Sequence, residues 1–251
     1  MLHNLDDLYP TVKFDPDMKY ERMEWLINGL WQLGKINAVA GAEKSGKSRL
    51  IAWLLVGIAK GDVLGLTSAA PPQRILYLCG EETVATVNHR IADYARIQGV
   101  PPTQFDIEFI EAAAMRLDLK QQRTWLHEKL LDEDFSMLIA DPLRRIHGAD
   151  ENDSTAMAVI HNDIRRWSNK DSLTILLVHH TPKIGDDTDM TRIASWFRGS
   201  SDTAAILDTA QYVDRVGKDS IQLLRAGRFP PLPPLAILDL GDTRGFARSV
   251  K

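Results

Sequence analysis

Eight consecutive residues, Gly41-Ala42-Glu43-Lys44-Ser45-Gly46-Lys47-Ser48, have the types and spacing needed to hold a row of phosphates. They satisfy G-x-x-x-x-G-K-[ST] without a mismatch. Glycines at both ends let the backbone curl until its N–H groups point inward at phosphate oxygens. A helix opening near Lys47 adds the positive end of its dipole. Lys47 then bridges the β- and γ-phosphates, and the Ser48 hydroxyl completes the shell of a Mg²⁺ ion. Arg49 follows directly and closes the segment read here as nucleotide-binding. The ligands this pattern implies are ATP and Mg²⁺.

Such a loop needs a carboxylate from a second strand to hold the water shell of the metal. Met137-Leu138-Ile139-Ala140-Asp141 supplies one, an apolar strand ending in an acid, and Pro142 ends that strand abruptly. Asp141 is thereby expected at the C-terminal edge of the sheet, where open α/β sheets bind ligands; the alternative is an acid that caps the next turn. Hydrolysis further requires a group that orients or deprotonates water. Glu81 and Glu82 follow another apolar strand at the same edge. The pair can equally open a helix from Thr83, where negative charge is favourable, and residue types alone do not choose between its members. His179 and His180 are adjacent on a strand, so they point to opposite faces and do not readily ligate one ion.

The elements that must position these groups alternate. Short apolar stretches at 36–40, 74–79, 106–110, 137–140 and 173–178 read as buried parallel strands. Val84, Val87, Ile91 and Tyr94 recur at helical spacing, as do Met157, Ile160, Ile164 and Trp167. Asp118 with Gln121 suggests a capping box ahead of a helix around residues 125–131. The helix after the phosphate loop is apolar nearly all round and is expected to be buried. This alternation predicts an α/β fold: a mostly parallel twisted sheet with helices on both faces. After Ser200 the pattern changes to consecutive strands at 210–215, 220–225 and 235–240, read as antiparallel additions at one edge, with the prolines at 230–234 ending the middle one. Residues 1–34 form an aromatic-containing lead-in, and residues 35–251 are expected to be one domain.

The totals are those of an ordinary globular chain: 251 residues, 44% hydrophobic and 25% charged. The single cysteine, Cys79, excludes an internal disulfide and suits a reducing cytoplasm. The longest apolar run, residues 50–59, is too short to span a bilayer, so no membrane partner is expected. Net charge is -4, against the basic excess of proteins that coat nucleic acid with a whole face. Nucleic-acid contact is therefore expected to be confined to a few loops.

Together these segments resemble the RecA-like P-loop ATPases, and within them the RepA-type hexameric replicative DNA helicases of plasmids and phages, over residues 24–228. The likeness rests on the phosphate loop, Gly80-Glu81-Glu82, His89-Arg90, Asp141-Pro142-Leu143-Arg144-Arg145-Ile146-His147, His179-His180 and Arg198-Gly199-Ser200-Ser201. It implies that Glu81 is the catalytic glutamate and Asp141 the Mg²⁺-linked aspartate. It also implies that the histidine pair, with His179 assigned the role, senses the γ-phosphate, and that Arg198 reaches a neighbouring subunit's nucleotide. A ring homo-oligomer, hexameric, acting on single-stranded DNA with other replication proteins follows from the same resemblance. Channel loops at 144–154 and 181–197 would offer Arg144, Arg145, Lys183 and Arg192 to phosphates. They also carry Asp150, Glu151, Asp153, Asp186, Asp187 and Asp189, and Arg225/Arg228 depart from the basic pair of related rings. Two other readings stay open: a RecA-like recombination or annealing ATPase, and a regulatory P-loop ATPase acting on a protein partner.

Overall fold

The structure is a computed structural model that describes residues 13–17, 23–68, 74–151, 153–181, 196, 201–230 and 232–249. Its first elements are a small hairpin, β1 (Trp25–Ile27) and β2 (Trp31–Gln32), followed by β3 (Ile36–Gly41) and α1 (Lys47–Lys60). A second small hairpin, β4 (Asp62–Val63) and β5 (Leu66–Thr67), precedes β6 (Ile75–Cys79), α2 (Val84–Gln98) and β7 (Ile107–Glu111). Next come α3 (Lys120–Asp132), β8 (Met137–Asp141), α4 (Ser154–Asp171) and β9 (Thr174–His180). The chain closes with α5 (Ser201–Ile206), β10 (Thr209–Gly217), β11 (Ser220–Gly227), β12 (Leu235–Asp239) and β13 (Phe246–Arg248).

Nine strands form one sheet in the order β13-β12-β11-β10-β3-β9-β8-β6-β7. From β10 to β7 every neighbouring pair is parallel. The pairs β10–β11, β11–β12 and β12–β13 are antiparallel. The mostly parallel sheet with antiparallel strands at one edge is thus the architecture the hydrophobic pattern predicts.

Strand parity divides the core. Val39, Tyr77, Cys79, Ile139, Leu176 and Val178 face a cluster shared with α1 and α2. Their chain neighbours Ala38, Ala40, Leu78, Ala140, Ile175 and Leu177 face the opposite cluster, built with α3 and α4. Period-two alternation in strands buried on both faces requires this split. Helix α2 begins at an N-cap Thr83 whose hydroxyl accepts from the Thr86 amide, and ends at Gly99 in the left-handed region. Asp153 caps α4, accepting from the Thr155 and Ala156 amides.

The proposed capping box at Asp118 and Gln121 is not formed. Helix α3 starts at Lys120 with Leu119 at its N-cap and no side-chain cap bond. Asp118 instead accepts from the Arg116 guanidinium (2.7 Å) and the Gly148 amide (2.6 Å), and these hold its carboxyl well below the usual range. Two donors outside the helix outcompete one amide within it. Among the described residues, no helix is long and apolar enough to cross a membrane.

The β1–β2 hairpin is packed into the α1/α2 cluster through Ile27, Leu30 and Trp31, all fully buried. A polar staple joins it to the sheet. The fully buried Asn37 side chain accepts from the Gln32 amide (2.7 Å) and the Thr209 hydroxyl (2.8 Å), and donates to the carbonyls of Gln32 and Lys35 (both 3.0 Å). Trp31 adds an indole N–H bond to Gln211 (2.9 Å). Truncating Asn37 leaves buried groups unpaired, so Asn37→Ala is expected to lower unfolding free energy by about 3 kcal/mol. Urea denaturation checks this, and a loss under about 0.5 kcal/mol would mean that apolar packing alone holds the hairpin.

Candidate functional site

The phosphate loop joins β3, in the middle of the sheet, to α1. Gly41 leaves the strand with φ 156° and runs so close to β10 that a Cβ there would lie 2.8 Å from the Val213 carbonyl oxygen. Gly46 takes φ 97° immediately before the helix. Only glycine accepts both constraints without strain. Ala42, Glu43, Lys44 and Ser45 complete the turn; Glu43 and Lys44 are exposed and Ser45 is buried.

Lys47 is not the exposed loop side chain that a flexible turn would carry. It is buried, and its ammonium donates to the carbonyls of Gly41 (3.0 Å) and Ala42 (2.9 Å) and lies 3.2 Å from His180 Nδ1. Burial pulls its pKa down to about 8, with Asp141, Glu81 and Glu43 acting in the opposite sense.

Asp141 ends β8 at the same rim, buried, in a cis peptide with Pro142. Its Oδ2 accepts a 2.5 Å hydrogen bond from the Tyr77 hydroxyl. Burial pushes the carboxyl above its usual range, while hydrogen bonds from Tyr77 and Ser48 and the charge of Lys47 restrain the rise. A serine hydroxyl and one carboxylate beside a phosphate loop are the hard oxygen donors that suit Mg²⁺, which takes few protein ligands and shares the rest with phosphates and water. Among the described residues no group of three or more His, Cys, Asp or Glu is placed to hold a metal ion by side chains alone.

The structure separates the two glutamates at the end of β6. Glu82 is held by both Nη atoms of Arg90 on α2, each at 2.6 Å. Glu81 is half-exposed and accepts from His180 Nε2 at 3.1 Å. The His180 ring therefore bridges Lys47 and Glu81. With Lys47 as a donor, Nδ1 must accept and Nε2 must carry the proton, which assigns a neutral tautomer.

His179 does not line this cleft. One residue earlier on β9, it faces the α3/α4 side, buried, where burial lowers its pKa while Glu151 raises it. The histidine in the cleft is His180, and strand parity measured from Val178 was the signal that distinguishes them.

A further group was not legible. Arg49 is clamped from 190 residues away: its guanidinium gives two bonds to Asp239 (2.9 and 3.1 Å), pairs with Asp242 and lies 5.2 Å above the Phe246 ring. Arg215 reaches the same Asp239 carboxylate at 2.5 Å and the Ser45 carbonyl at 3.5 Å. The antiparallel edge thus braces the phosphate loop from outside. Lys47, Ser48, Arg49, Glu81, Asp141, His180 and Arg215 line one open cleft of about 370 Å³. Arg144 and Arg145 lie away from it on the turn after β8, both exposed, with Arg144 3.9 Å from Glu151. Lys183, Arg192 and Arg198 lie outside the described residues.

A family model described as AAA domain matches residues 10–186. The chain belongs to that family and is a P-loop ATPase of RecA-like fold. No curated protein matches it. Among solved structures, the ATPase domain of a helicase aligns with TM-score 0.64 at 11% identity, covering 86% of this chain and 85% of that one. A KaiC-like protein, PH0186, from Pyrococcus horikoshii aligns with TM-score 0.57 at 11% identity, covering 90% and 94%. At these identities the likeness is one of fold.

The depressed Lys47 pKa has a measurable consequence. ATP favours the charged ammonium, so above pH 8 binding must take up a proton, and affinity is expected to fall by up to about tenfold per pH unit. In the free protein the sign reverses. Between about 8 and the unfolded value of 10.5 the unfolded chain binds more protons, so stability rises with pH. ATP titrations from pH 7 to 9.5 check the first effect, and an affinity flat to pH 9.5 would remove Lys47 from the phosphate contacts.

Proposed function

We propose that this AAA-domain protein is an ATP-hydrolysing ring motor, a replicative DNA helicase that translocates on single-stranded DNA in the cytoplasm. The observation that carries the reading is the convergence of Lys47, Ser48, Asp141, Glu81 and His180 on one cleft at the C-terminal rim of the sheet. In this reading residues 35–251 are the motor domain and residues 1–34 its lead-in.

The residues divide the work. Inward-pointing loop amides and Lys47 bind the β- and γ-phosphates and offset their charge. Ser48 and Asp141 would hold Mg²⁺, which neutralises the phosphate oxygens when bound. Glu81, free of the arginine that occupies Glu82, accepts the proton of a water that attacks the γ-phosphorus, and ADP leaves with the electron pair of the broken P–O bond. His180 touches both Lys47 and Glu81, so a change at the γ-phosphate reaches the base through one ring.

The arginines lining the cleft are already engaged: Arg49 and Arg215 by Asp239, and Arg90 by Glu82. Charge developing on the transferred phosphoryl group therefore calls for a cation from another subunit, the role that the helicase resemblance gives Arg198. An arginine supplied in this way accelerates phosphoryl transfer by orders of magnitude. Contact with DNA falls to Arg144, Arg145, Lys183 and Arg192. The acidic neighbours of Arg144, Glu151 first among them, favour the second reading, a regulatory ATPase whose partner is a protein.

Subunit mixing tests the proposal. Glu81→Gln should bind ATP and slow hydrolysis by about a hundredfold or more, with Glu82→Gln far milder. Arg198→Ala should also bind ATP and hydrolyse it slowly. Combined, the two inactive proteins should regain ATPase activity, because an intact Glu81 site then faces an intact Arg198. Lys47→Ala mixed with Glu81→Gln should gain nothing. Absence of rescue despite demonstrated co-assembly would remove the ring mechanism, and turnover indifferent to single-stranded DNA would favour the regulatory ATPase.

A further inference from the structure

Tyr77 is a buried tyrosine in the middle of an apolar strand, a position where sequence alone suggests nothing but core. Register explains where its hydroxyl goes. On β6, Tyr77 is opposite Ile139 of β8 and Cys79 is opposite Asp141. All four are on the same face, so the phenol reaches diagonally along the sheet to the acid two positions further on. Its ring packs against Phe109 at 5.8 Å, and its oxygen lies 2.5 Å from Asp141 Oδ2. Both side chains are more than nine-tenths buried.

A phenol O–H in the core must find an acceptor, and the carbonyls along β6 and β8 are occupied by the parallel ladder. The acceptor taken is the carboxylate that faces the nucleotide cleft. One oxygen of Asp141 is thereby engaged, and the plane of the carboxylate is fixed with Oδ1 left for the cleft. We infer that Tyr77 is a positioning residue for the metal-linked carboxylate, holding Asp141 Oδ2 so that its other oxygen is presented to Mg²⁺ bound with the nucleotide. This rests on the reading of Asp141 as the Mg²⁺-linked acid. Partners that orient a metal's ligands set metal affinity by about 10–100-fold, and Tyr77 stands in that relation to Asp141 while itself lining the cleft.

Tyr77→Phe removes one oxygen and keeps the ring against Phe109. The test is equilibrium binding of a fluorescent non-hydrolysable ATP analogue to the full chain, titrated with Mg²⁺, with thermal melting of each variant recorded alongside. In the parent protein Mg²⁺ strengthens binding, and in Asp141→Asn that strengthening is lost. In Tyr77→Phe the Mg²⁺ midpoint rises about tenfold or more while Mg²⁺-free affinity is unchanged. The double variant Tyr77→Phe/Asp141→Asn matches Asp141→Asn alone, because the tyrosine acts only through the acid. An unchanged Mg²⁺ midpoint in Tyr77→Phe, with Asp141→Asn still defective, overturns the role of Tyr77 alone. An equal loss of affinity with and without Mg²⁺ also overturns it, since that is the mark of a structural role. Normal Mg²⁺ dependence in Asp141→Asn instead overturns the metal reading beneath it.

Discussion

The Lys47 ammonium sits where β3 gives way to α1, buried, with two loop carbonyls and the His180 ring as its close partners. A cation in that position is tolerated only because its surroundings compensate. Burial disfavours the charge, and Asp141, Glu81 and Glu43 favour it. Those acids can stand near it because the parallel strands β3, β9, β8 and β6 all end at one rim, which is what βαβ crossovers impose. The loop can enclose it because Gly41 has no Cβ to collide with β10.

Alternation along the strands decides which rim residues share the cleft. Tyr77, Cys79 and Val178 turn toward α1 and α2, and the acid and histidine that continue their parity, Asp141 and His180, end up beside Lys47. His179, on the other parity, belongs to the α3/α4 side with His147 and Glu151. Two adjacent residues of one type therefore serve different faces. The antiparallel edge then acts from outside, where one carboxylate, Asp239, collects Arg49 and Arg215 and fixes the first turn of α1 against the last strands.

Features carried by local pattern were legible in the sequence. The phosphate loop, the strand ending at Asp141, the two helices with apolar spacing and the antiparallel edge all depend on neighbours within a few residues, and the structure has them. Features that depend on distant partners were not. The distinction between Glu81 and Glu82 lies in Arg90, which sits on α2 and turns back to hold only one of the two acids. Tyr77 reads as core until Asp141, 64 residues away, is placed beside it. Arg49 and Asp239 are separated by 190 residues. The strands at Trp25–Ile27 and Trp31–Gln32 are too short for any period to show. Asp118 looked like a cap because sequence shows the amide it might accept from and hides the Gly148 amide that it does accept from.

The central claim is that the cleft around Lys47 hydrolyses ATP. Phosphate release by the purified chain with ATP and Mg²⁺, compared with Lys47→Ala, tests it most directly. Removing the ammonium takes away the charge that faces the phosphates, so the variant should lose at least about a hundredfold in turnover while keeping a cooperative melting transition. Normal phosphate release from a folded Lys47→Ala protein would contradict the account.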